Sequence, residues 1–172
     1  MDNKGKKQLR TLLSAARPHS SEGITQRLVQ VAESVGAKTI ASYVPLENEP
    51  DVSEFNRLVA TSGNLLLPRI TGDELEFAYG DLKAGYFGIS EPTGPAASLS
   101  NIDLMVVPAL AADKKGNRLG KGKGFYDRVL MSFAGASVAV VFETELLDEV
   151  PCEPHDHRVT IVVTPLQTLV AD

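Results

Sequence analysis

The stretch "RLGKGKGFYDRVL", Arg118 to Leu130, places glycines at 120, 122 and 124, lysines at 121 and 123, and an aspartate at 127 ahead of an apolar, helix-like segment. Glycines let a main chain approach a ligand and adopt positive φ. Their N–H groups and a helix N-terminus favour anions, and the lysines add full charges, so phosphate is the natural guest. The stretch is not a P-loop, since no G-x-x-x-x-G-K-[ST] occurs in it, and its G-x-G-x-G lacks the last spacing of a dinucleotide fingerprint. A flexible glycine turn before a helix would have the same composition, and spacing alone does not separate the two readings. Nucleophilic chemistry by the protein has little support: there is no G-x-S-x-G elbow, and Cys152, the single cysteine, has no evident base. Cys152, His155 and His157 fit no standard zinc spacing and have no evident fourth ligand. A single cysteine also excludes an internal disulfide and agrees with a reducing compartment.

Charge is spread unevenly around these residues. The net charge is -5, which argues against general nucleic-acid binding. Two segments reverse the sign: Lys4, Lys6, Lys7 and Arg10 stand against Asp2, and Arg118, Lys121, Lys123 and Arg128 stand against Asp127. An acidic chain with two cationic patches suits a small anionic ligand, although solvated lysines at a helix end would read the same way.

The elements that must position these residues alternate along the chain. Leu9, Leu12, Leu13 and Ala16 keep helical spacing until Pro18, and "SSEGITQRLVQVAESVG" reads as a helix from a serine cap to Gly36. "TIASYV", "NLLLP", "IDLMVVP", "SVAVVF" and "RVTIVV" read as buried strands and "ELEFAYG" as an exposed strand or hairpin arm; "DVSEFNRLVAT" and "YDRVLMSFAG" read as helices. This order predicts a single α/β domain over 1–172, Rossmann-like, with a mainly parallel sheet flanked by helices. In it the glycine loop follows a strand and opens a helix at the carboxyl edge, where open α/β sheets bind ligands. "SEPTGPAASLSN" reads as a surface connection. A chain of 172 residues, 43% hydrophobic, buries roughly 70% of its unfolded surface. No apolar run approaches the roughly 20 residues of a membrane span, and the N-terminus lacks the pattern of a secretory signal. The expectation is a cytoplasmic monomer without membrane or nucleic-acid partners.

The chain also resembles the 5-formyltetrahydrofolate cyclo-ligase family, also called methenyltetrahydrofolate synthetases. "RLGKGKGFYDR" is similar to the family's signature loop. Collinear with it are Lys6 and Arg10, "YVPLENEPD", "LPRI", "GYFGISEP" and "VPCEPHD". The resemblance implies ATP- and Mg²⁺-dependent closure of 5-formyltetrahydrofolate to 5,10-methenyltetrahydrofolate with release of ADP and phosphate. It implies ATP phosphates held by Lys6, Arg10 and the loop Arg118, Leu119, Gly120, Lys121, Gly122, Lys123, Gly124, Phe125 and Tyr126, with Lys123 as the main catalytic charge. Reduced folate, including polyglutamylated forms, would meet Leu46, Glu49, Asp51 and the loop residues 121–125, and Asp127 and Asp156 would hold the metal. Outside the resemblance, Asp127 could be an ordinary helix N-terminal carboxylate, Asp51 a helix cap and Asp156 a turn residue.

Two positions depart from the family pattern. Phe125 stands where tyrosine is common and lacks its hydroxyl, and Thr160 stands where many members carry an aspartate, which puts more weight on Asp156. These changes leave room for an alternative, a regulatory protein that binds nucleotide or folate on the same fold without turnover. An enzyme of another reaction on a related sheet, such as a phosphosugar isomerase or an acyl-transfer protein, would need a catalytic carboxylate or nucleophile in a setting the sequence does not supply.

Overall fold

The computed structural model describes residues 3–15, 17, 20–85 and 88–172. Ala16 and Pro18 at the end of the first helical pattern, and Tyr86 and Phe87 within "GYFGISEP", lie outside the described residues, as does Asp2.

The apolar runs become the inner strands of a seven-stranded sheet. In chain order its strands are β1 (Ile40–Ala41), β2 (Leu65–Thr71), β3 (Glu74–Ala78), β6 (Leu104–Pro108), β9 (Ala136–Val140), β11 (Ile161–Val163) and β12 (Thr168–Val170). In space they run β12-β11-β9-β6-β1-β2-β3. The five inner strands are parallel to one another, while β3 and β12 pair antiparallel at the two edges. Strand side chains alternate faces, and both faces are covered. Leu104, Val106, Val138 and Val140 pack against Ile24, Leu28 and Val31 of α2 (Ile24–Ser34) and Phe55 of α3 (Ser53–Ala60). Met105, Val107 and Ala139 face Phe77 together with Val129 and Leu130 of α4 (Phe125–Ser132). Burial on both faces explains why these strands read as continuous apolar runs. The expected mainly parallel sheet flanked by helices is what the chain forms.

Three details differ from the sequence reading. Helix α2 has no serine cap: Gly23 precedes it at φ +92° without a side-chain cap bond. A Cβ there would lie 2.5 Å from the Pro165 carbonyl oxygen, so close passage of the chain end selects glycine. Second, the continuous run "VVPALAAD" conceals a break. After Pro108 the chain leaves the main sheet and forms β7 (Ala111–Asp113) and β8 (Arg118–Leu119), which join β10 (Leu146–Leu147) in a small sheet ordered β10-β7-β8. The glycine loop therefore follows a hairpin, not a strand of the main sheet. Third, the connection expected through "SEPTGPAASLSN" begins as a strand: β5 (Ser90–Pro92) pairs antiparallel with β4 (Leu82–Ala84).

The small sheet is the seat of the first helix. Leu9 and Leu13 of α1 (Asn3–Ala15) pack on Leu110, Ala111, Leu119 and Val150. No helix among the described residues is long and apolar enough to cross a membrane.

Candidate active site

Strand order reverses between β1 and β6: the chain proceeds outward to β2 on one side and to β9 and β11 on the other. The gap beyond the carboxyl ends of such strands is where open α/β sheets take ligands. A cavity of about 340 Å³ lies there, within the usual size range for small-molecule sites. Tyr43, Val44 and Leu46 line it after β1, Pro108 at the end of β6 and Ala109 just beyond, and Pro68 and Ile70 from β2. Leu75 and Ile89 extend the apolar wall, while Lys6, Arg10 and every residue from Arg118 to Asp127 supply a wall rich in cations and glycine.

The glycine loop owes its shape to its surroundings. At its base, buried Asp113 accepts from the Lys115, Asn117 and Val150 main-chain N–H groups and from Asn117 Nδ2, at 2.9 to 3.1 Å. These bonds close the turn between β7 and β8. Within the loop, Gly122 and Gly124 take φ of +92° and +70°, a region costly for side-chain-bearing residues. Arg10 Nε donates to the Gly120 carbonyl at 2.9 Å, so the first helix braces the loop from behind. Gly124 immediately precedes α4 and aims the loop into that helix's N-terminus. Lys121 and Lys123 alternate with the glycines, and both line the cavity.

Ion pairs organise the polar wall. Arg118, buried, donates through Nη2 to Asp127 Oδ1 at 2.7 Å, and the His157 main-chain N–H reaches the same oxygen at 3.3 Å. Lys6 Nζ donates to Glu153 Oε2 at 2.7 Å and to Asp156 Oδ2. Burial alone would lower the Lys6 ammonium, but the two carboxylates outweigh it and raise its pKa. Asp156 is its counterpart: burial pushes the carboxyl up, but Lys6 and the Glu153 N–H hold it below the ordinary range. Glu49, also buried, pairs through Oε1 with Lys121 Nζ at 2.6 Å and accepts the Leu46 N–H on Oε2 at 2.9 Å. Tyr43 and Tyr126 are pushed well up, first by burial and then by the charge of Glu49. At neutral pH both keep their hydroxyl protons. Tyr43 Oη donates to the Pro50 carbonyl at 2.7 Å, which secures the 44–51 segment.

Most of the residues implied by the resemblance meet in this one cavity: Lys6, Arg10, Leu46, Glu49, the whole of 118–126, Asp127 and Asp156. Asp51 does not line it. Its Oδ1 accepts the Ser53 N–H at 2.9 Å in a local turn ahead of α3, whose N-cap is Val52, so Asp51 is neither in the cavity wall nor the cap itself. Thr160 is also outside the lining, and its hydroxyl exchanges hydrogen bonds with the Ser137 main chain. Phe125 lines the cavity, and the Arg128 guanidinium stands 5.1 Å from its ring centre. Asp156 lies with Glu153 and His155 in a group whose candidate ligand atoms fall within 4.8 Å of one another. Asp127 and Cys152 are not in that trio, and Cys152 is exposed.

Other contributors escaped the sequence reading. Tyr43, Ile70, Leu75 and the buried Glu91 line the cavity. "LPRI" and "GISEP" pointed to this region, but no spacing distinguishes a cavity wall from a core strand. Asp113 and Glu153 act through the loop and through Lys6, and pairings between residues far apart in sequence leave no local signal.

Comparison with known proteins identifies the relatives of this chain. The 5-formyltetrahydrofolate cyclo-ligase from Mycolicibacterium smegmatis is 35% identical, with 99% of each chain covered. That from Haemophilus influenzae is 31% identical over 87% of this chain and 88% of its own. The solved structure of Aquifex aeolicus 5,10-methenyltetrahydrofolate synthetase superposes with a TM-score of 0.83 at 28% identity, covering 97% of this chain and 91% of that one. The Mycoplasma pneumoniae 5,10-methenyltetrahydrofolate synthetase shares the fold, with a TM-score of 0.74 at 23% identity over 96% and 99% of the two chains. Residues 4–165 match the 5-formyltetrahydrofolate cyclo-ligase family, and the chain belongs to that family.

Proposed function

We propose that this protein closes 5-formyltetrahydrofolate to 5,10-methenyltetrahydrofolate at the expense of ATP, with Mg²⁺. The observation that carries the proposal is one cavity in which the glycine–lysine loop and an apolar wall bearing the buried Glu49 face a common space. The formyl oxygen of folate attacks the γ-phosphorus of ATP and ADP departs. Folate N10 then attacks the activated formyl carbon, loses its proton, and phosphate leaves with the former formyl oxygen. Both nucleophiles belong to the substrate, so the protein positions the reactants and stabilises charge, as phosphoryl-transfer sites mainly do.

Each wall has a part in this. Arg10 and loop residues 118–126 receive the phosphates, and Lys123 offsets charge on the transferring group. Glu49 accepts N–H bonds from the pterin while Leu46, Ile70 and Phe125 enclose its apolar faces. Asp127 and Asp156 suit a largely hydrated Mg²⁺ held by one or two carboxylates: their oxygens are hard donors in the cavity wall, and Arg118 and Lys6 orient them through one oxygen each. When bound, Mg²⁺ would draw charge from the phosphates. Lys6, held between Glu153 and Asp156, fixes the place of Asp156.

The test is incubation with 5-formyltetrahydrofolate and MgATP while following the ultraviolet band of the methenyl product. Product should form only with a nucleoside triphosphate and a divalent metal. Turnover in the presence of chelator, or with ADP in place of ATP, would overturn the mechanism.

A further inference from the structure

The Lys121–Glu49 ion pair joins the two halves of the site. Lys121 belongs to the glycine loop, and Glu49 to the segment after β1 that also carries Leu46. The two meet at 2.6 Å, with the Glu49 side chain 7% exposed and that of Lys121 42% exposed. The Leu46 N–H occupies the other Glu49 oxygen. Both oxygens of the buried carboxylate thus have donors from the protein itself. We infer that Lys121 is a positioning residue that makes nucleotide and folate binding cooperative: its pairing with Glu49 takes the carboxylate oxygen that folate needs, and nucleotide phosphate draws it away. The inference rests on the assignment of Glu49 to folate and of the loop to phosphate.

The chemistry sets the sign of the coupling. A pterin presents N–H donors, which compete with an ammonium for the same carboxylate oxygen. Polyphosphate offers Lys121 a more highly charged partner, and the lysine is exposed enough to reorient, while buried Glu49 remains fixed by Leu46. Nucleotide therefore prepares the carboxylate for folate. Coupling between sites is reciprocal, so folate, by displacing Lys121, tightens nucleotide binding by the same factor. A half-exposed pair is a weak one, which places the expected factor at the low end of the usual range, about fivefold to tenfold.

The experiment measures the dissociation constant of 5-formyltetrahydrofolate with and without a non-hydrolysable ATP analogue and Mg²⁺, and that of the analogue with and without folate. In the unaltered protein each ligand should tighten the other by an equal factor. Lys121→Met should bind folate alone more tightly and lose the coupling, whereas Lys121→Arg, which keeps the pair, should retain it. A protein in which Lys121 serves only to attract anions would show the same coupling in Lys121→Met, and that result overturns the inference. So would equal affinities with and without the second ligand in the unaltered protein, with both ligands bound. Failure to bind folate or nucleotide at all would overturn the site assignment itself, and the inference with it.

Discussion

Lys123 stands between two glycines held at positive φ, on the wall where the transferring phosphate is proposed to sit. Lys123→Met keeps most of the stem and removes the charge. A preorganised donor acting on developing charge is worth roughly 2.7 to 4 kcal/mol, about a hundred- to thousandfold in turnover. A surface lysine seldom contributes more than a few tenths of a kcal/mol to stability. Turnover at saturating ATP should therefore fall about a hundredfold or more while the melting temperature stays unchanged. Retention of more than about a tenth of the original turnover would reduce Lys123 to a binding group. Lys121→Met is the control in the same loop and should act on affinities more than on turnover. The sequence displayed these lysines, since their value lies in local spacing with glycine. It did not display the partners of Lys6, because Glu153 and Asp156 lie almost the whole chain away, and an isolated lysine on a helix looks the same whether it reaches phosphate or carboxylate.

At the scale of elements, the loop is only as ordered as the hairpin that carries it. Asp113 gathers three main-chain N–H groups and the Asn117 side chain in a fully buried setting. Asp113→Ala should cost about 3 kcal/mol, because an unsatisfied buried donor loses about 1 to 3 kcal/mol and water can enter to replace only part of the set. Chemical denaturation should show this loss, and a change below about 1 kcal/mol would mean that the turn holds itself. A second carboxylate acts at the opposite end of the sheet, where Asp103 accepts the Thr39 and Lys38 N–H groups beside β1. Those two bonds hold its carboxyl below its ordinary value of 3.8. The lowered value means that its contribution is present above pH 3.8 and is lost as pH falls through the folded value. Asp103→Asn should flatten that part of the acid-stability curve and leave the neutral-to-alkaline limb unchanged; an unaltered acid limb would assign the pH dependence to other groups. The parallel strands were legible because burial on both faces makes them uniformly apolar. The β7–β8 hairpin was not, because its residues are equally apolar and only Pro108 marks where the chain changes sheets.

At the scale of the molecule, the first helix contributes Lys6 and Arg10 to a site otherwise built from residues 43 to 156, so its attachment decides whether the site exists. Leu9 and Leu13 are only partly buried, and the firmer tie lies just beyond the helix at Arg17. Its Nε donates to Glu145 Oε1 at 2.7 Å, and its Nη2 donates to Glu145 Oε2 at 3.0 Å and to the Ala109 carbonyl at 2.9 Å. The guanidinium also stands 5.2 Å from the centre of the Phe142 ring. Both side chains of the pair are 2% exposed. Such a pair contributes little net stability compared with an apolar replacement of both partners, yet removing one partner leaves an uncompensated buried charge and costs about 3 to 5 kcal/mol. For a chain of this size each kcal/mol corresponds to roughly 2 to 4 °C. Arg17→Met should then lower the melting temperature by about 10 °C and raise the KM for ATP, as α1 loosens against the glycine loop. Adding Glu145→Gln removes the stranded charge and should recover much of the melting temperature, while the KM stays raised because the tie to Ala109 is still missing. Recovery of both together would show that Arg17 only neutralises Glu145, and a fall of less than about 2 °C in the single variant would place the anchor of the helix in its leucines instead.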